Sequence, residues 1–146
     1  MSVKNGKILT IFLVDDDPMF LKSLEIDFLN QNLYNIETFL NGEDCLSNLH
    51  HHPDFIILDY LLDGIHANSM NGIEVLDKIL AYNPTIPVII LSAQDKIEVA
   101  VNCMHHKAAD YIVKSETSFL RINQIILSIC KQQKMEKIIK WYMDRL

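Results

Sequence analysis

Two hydrophobic patterns alternate along the chain. Short, nearly unbroken apolar runs stand at "ILTIFLV" (8–14), "YNIETF" (34–39), "FIIL" (55–58), "PVIIL" (87–91) and "DYIV" (110–113). They are rich in β-branched residues and lack a polar face, as strands buried on both sides require. Helix-like stretches lie between them, over roughly 18–30, 42–50, 72–82, 95–106 and 118 onward, with Asn41-Gly42, Asn71-Gly72 and Asn83-Pro84 as punctuation. Five strand–helix units predict an α/β fold, a five-stranded parallel sheet with helices on both faces and right-handed crossovers. The common order for such a doubly wound sheet is 2-1-3-4-5, with ligands bound beyond the carboxyl ends of the strands. Chemistry is therefore expected where strands one, three, four and five end.

The residues at those ends carry functional groups. Strand one ends in Asp15-Asp16-Asp17-Pro18, strand three in Asp59, strand four in Ser92, and strand five in Lys114. Pro18 suits the first helical position and Asp17 its N-cap, which leaves Asp15 and Asp16 without a local structural task. Clustered carboxylates raise one another's pKa unless a cation offsets them. Mg²⁺ suits an all-oxygen site of one or two carboxylates. Beside it Asp59 could act as a nucleophile toward a phosphoryl group, with Lys114 neutralising charge and Ser92 donating a hydrogen bond. Each residue also has a local reading: a strand-end Ser as a cap, a Lys reaching solvent, an Asp opening a turn. Their coincidence at the correct ends of one sheet favours the shared site.

Composition narrows the setting. The 146 residues fit one domain, and the formal charge of -6 argues against nucleic acid as the main partner. No apolar run of about 18 residues is present to span a membrane. The N-terminal apolar run ends in aspartates rather than in a signal-peptide cleavage site. Cys45, Cys103 and Cys130 are odd in number and lack metal-type spacing, which fits reduced thiols in a cytoplasmic protein.

The motifs "ILTIFLVDDDP", "FIILDY", "NGIEVLDKI", "PVIILSA" and "ADYIVKS", in that order, resemble a response-regulator receiver domain. The resemblance covers about residues 7–130 and implies a flavodoxin-like (βα)5 fold, with residues 131–146 as a C-terminal helical extension. It implies that Asp59 is the phosphoacceptor, that Asp15 and Asp16 bind Mg²⁺ with Asp59, and that the Leu61 backbone carbonyl completes the protein ligands. Ser92 and Tyr111 fill the switch positions and Lys114 the lysine position. The implied partners are a sensor histidine kinase or phosphotransfer protein and a downstream protein target, with no nucleic acid and no membrane. A receiver of this kind assists its own phosphorylation and is not a turnover enzyme.

Several positions depart from the family pattern. Gly72, at the start of the third helix, follows Asp59 by thirteen residues, about five more than usual, so "YLLDGIHANSMN" overhangs the crevice as a gating element or a plain surface insertion. Ser115 replaces the expected Pro, which disfavours a cis peptide there, and Lys107 replaces a common Gly. Leu61 and Gln94 occupy positions that influence acyl-phosphate hydrolysis. An apolar Leu61 cannot orient water, so slow self-dephosphorylation is expected. His50-His51-His52 are read as the end of helix two and His105-His106 as the end of helix four, where cations suit the dipole.

The last helix carries a core stripe, Phe119, Ile122, Ile126, Ile129 and Cys130, followed by Met135, Ile138, Ile139, Tyr142 and Leu146. Lys131, Lys134, Lys137 and Lys140 keep an intervening face basic. This extension is a solvated terminus, or a dimerisation or docking helix that would make the chain a homodimer. Two other functions compete. The chain could be the receiver of a longer DNA-binding transcriptional regulator. A metal-dependent phosphatase of similar topology would use a second Asp two residues beyond the nucleophile, where Leu61 stands.

Overall fold

The computed structural model describes residues 3–4, 7–31, 33–62 and 70–146 of the chain. Five parallel strands, β1 (Lys7–Val14), β2 (Tyr34–Phe39), β3 (Phe55–Asp59), β4 (Val88–Ser92) and β5 (Asp110–Val113), form one sheet in the order β2-β1-β3-β4-β5. This is the expected 2-1-3-4-5 order. The helices are α1 (Pro18–Gln31), α2 (Gly42–Ser47), α3 (Gly72–Tyr82), α4 (Ile97–His105) and α5 (Ser118–Met143). A two-residue piece, Val3–Lys4, pairs antiparallel with the start of β1; two residues carry no periodicity for a sequence reading to detect.

Side chains alternate across the sheet at the period of two that a strand imposes. Phe12, Val14, Ile56, Leu58, Val88 and Ile90 pack with Cys45, Val75, Leu76, Ile79 and Cys103 under α2, α3 and α4. Leu9, Ile11, Leu13, Ile57, Ile89 and Leu91 pack with Leu21, Leu24, Phe28, Ile122 and Ile126 under α1 and α5. Both faces of β3 and β4 are thus buried along their whole length, which explains their continuous hydrophobicity. Burial pushes the Cys45 thiol up to about 12, so it is an inert core group.

Helix ends follow local chemistry. Asp17 Oδ1 accepts from the N–H groups of Met19 (3.0 Å) and Phe20 (3.3 Å), the N-cap expected before Pro18. Asn41 and Asn71 cap α2 and α3 by accepting from Asp44 and Glu74. Helix two is shorter than its sequence pattern: α2 ends at Ser47, and a 3-10 turn, Leu49–His51, leads to His52 at φ 58°. The three histidines therefore do not end an α-helix. His51 Nδ1 instead lies 2.7 Å from Glu37 Oε1, a partner brought close only by the fold. His105 does close α4, while His106 pairs with Asp77 at 2.9 Å.

No cis peptide occurs among the described residues, and Lys107 keeps a left-handed turn at φ 73° before β5. The turn that favours Gly is thus retained with a lysine in it, at a cost on the order of 1 kcal/mol. Ser92 is the last residue of β4, as expected, while β5 ends at Val113, one residue before Lys114. None of the described helices is long and apolar enough to cross a membrane.

Candidate functional site

The carboxyl end of the sheet brings together the ends of β1, β3, β4 and β5. β1 and β3 are neighbours, with Val14 beside Leu58, and β3 pairs with β4 so that Asp59 lies beside Leu91. β4 pairs with β5 so that Ser92 lies beside Val113. One residue past these pairs stand Asp15 and Lys114. The register thus sets every expected group on one edge.

Asp15, Asp16 and Asp59 each offer a carboxylate oxygen, and these oxygens lie within 4.8 Å of one another. Asp15 and Asp59 are buried, at 3% and 4% exposure; Asp16 is half-buried. Lys114 Nζ reaches across from β5 to Asp15 Oδ2 at 2.8 Å and Asp59 Oδ1 at 3.3 Å. It also lies 4.6 Å from the centroid of the Phe20 ring, a cation–π contact that helps to fix its aliphatic stem. Phe20 went unnoticed in the sequence because its only signal is an aromatic one residue short of the core stripe of α1.

Asp15 has a local task that the sequence did not disclose. Its Oδ1 accepts the N–H of Asp17 at 2.9 Å, which closes the turn between β1 and α1. Its Oδ2 is buried, accepts no well-aligned hydrogen bond, and has the Lys114 ammonium as its ion-pair partner. One carboxylate oxygen thus builds the loop while the other points into the cluster.

Burial, with the nearby Asp15 charge adding to it, raises Asp59 from 3.8 to about 7. Lys114 and the Leu61 N–H, which donates to Asp59 Oδ1 at 3.4 Å, act in the opposite sense but do not overcome it. For Lys114, burial alone would lower the pKa. The contacts with Asp15 and Asp59 outweigh that burial and hold the ammonium above its usual range. Three carboxylates against one ammonium leave the cluster about two negative charges in excess when all are ionised. That excess, the all-oxygen donor set and the Asp15 Oδ2 atom fit a hard divalent cation such as Mg²⁺.

Ser92 is buried, and its Oγ accepts the N–H of Gln94 at 3.0 Å. The Tyr111 hydroxyl donates to the Gln94 carbonyl. The two expected switch residues therefore meet at one residue, Gln94, of the β4–α4 loop. The Ser92 carbonyl accepts from Lys114 N–H at 2.7 Å, tying the end of β4 to the lysine.

Residues 63–69, most of the long segment after Asp59, lie outside the described residues. Its base is clear. The Gly72 N–H donates to the Tyr60 carbonyl at 3.1 Å, and Tyr60 N–H donates to Leu91 at 2.8 Å. Met70 N–H donates to Glu43 Oε1 at 3.0 Å, which fastens the returning arm to α2. The chain therefore leaves the strand end and returns to within one hydrogen bond of it. A Cβ at Gly72 would stand 2.6 Å from the carbonyl oxygens of both Asp59 and Tyr60, so this close approach requires glycine. The side chain of Leu61 stands at the rim, 44% exposed.

The comparisons with known proteins agree with this geometry. The family model of the response regulator receiver domain matches residues 11–127. Response regulator ArlR of Staphylococcus aureus is 36% identical over 105 residues, 71% of this chain and 45% of that protein. The chain thus spans about half the length of the curated relatives it matches. Among solved structures, a CheY-like response regulator receiver domain protein from Methanospirillum hungatei is similar in fold, with a TM-score of 0.76 at 22% identity. That likeness covers 89% of this chain and 99% of the other. The CheX-CheY-BeF3-Mg+2 complex from Borrelia burgdorferi contains a chain similar at a TM-score of 0.71 and 26% identity, covering 83% of this chain and 88% of that one. With its parallel sheet, its acidic cluster and the family match over most of its length, the chain belongs to the response regulator receiver domain family of two-component signalling.

Proposed function

We propose that the chain accepts a phosphoryl group on Asp59 from a phosphohistidine of a sensor kinase or phosphotransfer protein, and passes the signal to a protein partner. The observation that carries this reading is the placement of Asp59: buried at the sheet edge, in ion-pair contact with Lys114, and clustered with Asp15 and Asp16. A carboxylate oxygen of Asp59 attacks phosphorus as the bond from phosphorus to the imidazole nitrogen breaks. Lys114 balances the charge of the transferring group, and the Ser92 hydroxyl, whose oxygen already accepts from Gln94, keeps its proton free to donate to a phosphoryl oxygen.

Asp15, Asp16, Asp59 and the Leu61 carbonyl would hold Mg²⁺, which when bound supplies positive charge against the carboxylates and the phosphoryl oxygens. The acidic cluster supports the cation, and the Mg²⁺-containing complex of a similar chain is consistent with it. Consumed once per signal, Asp59 is an acceptor that assists its own phosphorylation, so the chain is not a turnover enzyme. Phosphorylation adds about 1.5 to 2 negative charges, which draws the Ser92 hydroxyl and thereby pulls on the N–H of Gln94, the residue whose carbonyl Tyr111 holds. That is a bias between two packings of one loop.

A second reading is that the chain is the receiver part of a longer transcriptional regulator that binds DNA. Its support is that the chain spans 45% of the length of ArlR. Incubation with a small phosphodonor and Mg²⁺ tests the leading reading. One acid-labile phosphoryl per chain is expected, lost in Asp59→Asn and on chelation of the metal. Equal labelling of Asp59→Asn would sink the assignment.

A further inference from the structure

The second half of α5 leaves the domain with an apolar face that its own fold does not use. Phe119, Ile122, Ile126, Ile129 and Cys130 pack against the α1 side of the core. At about 3.6 residues per turn, Met135, Ile139 and Tyr142 lie roughly opposite those residues around the same helix, not in line with them. The extension therefore does not continue the core stripe. Met135 is 51% exposed, Ile138 42%, Ile139 56% and Tyr142 64%, on a stretch of helix that the core no longer covers.

The spacing along this face is that of a heptad seam. Within α5, Ser128, Gln132, Met135, Ile139 and Tyr142 follow one another at alternating intervals of four and three residues, the repeat that keeps one line of side chains facing a partner helix. Gln132 and Ile139 then take the a positions, and Ser128, Met135 and Tyr142 the d positions. Lys134, Lys137 and Lys140 fall on b, c and f, which face water. The flanking g and e positions carry Lys131 and Glu136, five residues apart, the offset at which oppositely charged residues meet between parallel in-register helices. The next such pair, Ile138 and Met143, is apolar on both sides. In an antiparallel arrangement g faces g and e faces e, so Lys131 and Glu136 would not meet.

We propose that this face is covered by a second copy of the chain, through a short parallel coiled coil of the two α5 extensions, independent of the phosphoryl site. A β-branched Ile139 at an a position suits two strands, and Gln132 at the a position before it fixes the register. With few apolar layers the dimer is weak and reversible. The same basic, aromatic-bearing helix could in principle lie on an anionic lipid surface, but a lipid face has no use for Glu136 paired against Lys131.

Sedimentation equilibrium of the full 146-residue chain, unphosphorylated, over a range of concentrations tests this. A monomer–dimer equilibrium is expected, abolished by Ile139→Glu and by Met135→Glu, both at positions exposed in the protomer. Glu136→Lys should weaken it about fivefold, through two symmetric like-charge contacts, and Lys131→Glu with Glu136→Lys should restore it. Thermal unfolding of each variant confirms that the domain persists. A wild-type chain that stays monomeric overturns the proposal. So does a dimer indifferent to Ile139→Glu and Met135→Glu, one that the double charge exchange fails to rescue, or a monomer that binds vesicles of anionic lipid through these residues.

Discussion

Tyr111 and Ser92 both hold the backbone of Gln94, one at its carbonyl and the other at its N–H. The Tyr111 hydroxyl donates to the carbonyl of Gln94, while Ser92 Oγ accepts the N–H of Gln94 at 3.0 Å. Neighbouring strands thus converge on the first residues of the loop that leads into α4. Any movement of the Ser92 hydroxyl toward the acidic cluster is felt by Tyr111 through the backbone of this one residue.

Tyr111→Phe should leave the sheet intact and free the Gln94 carbonyl. The expected loss is about 1 kcal/mol of stability, the value of one such bond. Hydrogen exchange should speed up at the N–H groups of residues 94–97 while those of β3 and β4 stay protected. Unchanged exchange in that loop would show that the contact holds nothing.

Asp59 makes stability depend on pH in a defined sense. The unfolded group ionises near 3.8, and the folded one near 7. Between these values the folded chain binds more protons, so the contribution of neutral Asp59 is fully present below about 3.8 and is lost as pH rises through about 7. Denaturant midpoints measured without divalent cations should therefore fall from pH 4 to pH 7. Asp59→Asn, which stays neutral, should flatten that slope and be more stable than the wild type at pH 8.

Lys114→Ala leaves the buried Asp15 and Asp59 carboxylates with no cation between them. At pH 8, without metal, it should destabilise the chain by about 2 kcal/mol, since removal of one partner exposes the desolvation cost of the other. Millimolar Mg²⁺ should return part of that stability. If urea midpoints with and without the metal match those of the wild type, Lys114 is not what balances the cluster.

Gly72→Ala drives a methyl group into the backbone of Asp59 and Tyr60, where no flexible side chain can yield. A loss of about 3 kcal/mol is expected, with slower phosphorylation by a small phosphodonor because the end of β3 must shift. A variant as stable and as reactive as the wild type would show that the long loop does not return to the strand end so closely.

Leu61 stands at the rim and cannot orient a water toward an acyl phosphate. Leu61→Asn, which can, should shorten the lifetime of phosphorylated Asp59 about tenfold. The label remaining against time after removal of the phosphodonor measures it, and equal decay of the two proteins would dismiss this role.

The sequence by itself determined the strand count, the order of elements and the residues at the strand ends. Doubly buried strands have no polar face, and a strand in a doubly wound sheet presents its last residue at one predictable edge. The placement of Asp15, Asp59, Ser92 and Lys114 at one edge was legible for that reason, and Tyr111 drew notice through the family resemblance. What the tertiary structure alone decided depends on approach between distant segments. Asp15 spends one oxygen on its own turn, Phe20 packs beneath Lys114, and Gly72 is pressed against the end of β3. The shortened α2 and the His51–Glu37 contact are of the same kind. Above all, the two apolar stripes of α5 look like one in a linear pattern. Helical periodicity sets them on opposite sides, but only the packed helix shows which stripe lies against the core and which is exposed, because burial is fixed by what a helix packs on and not by its neighbours in the chain.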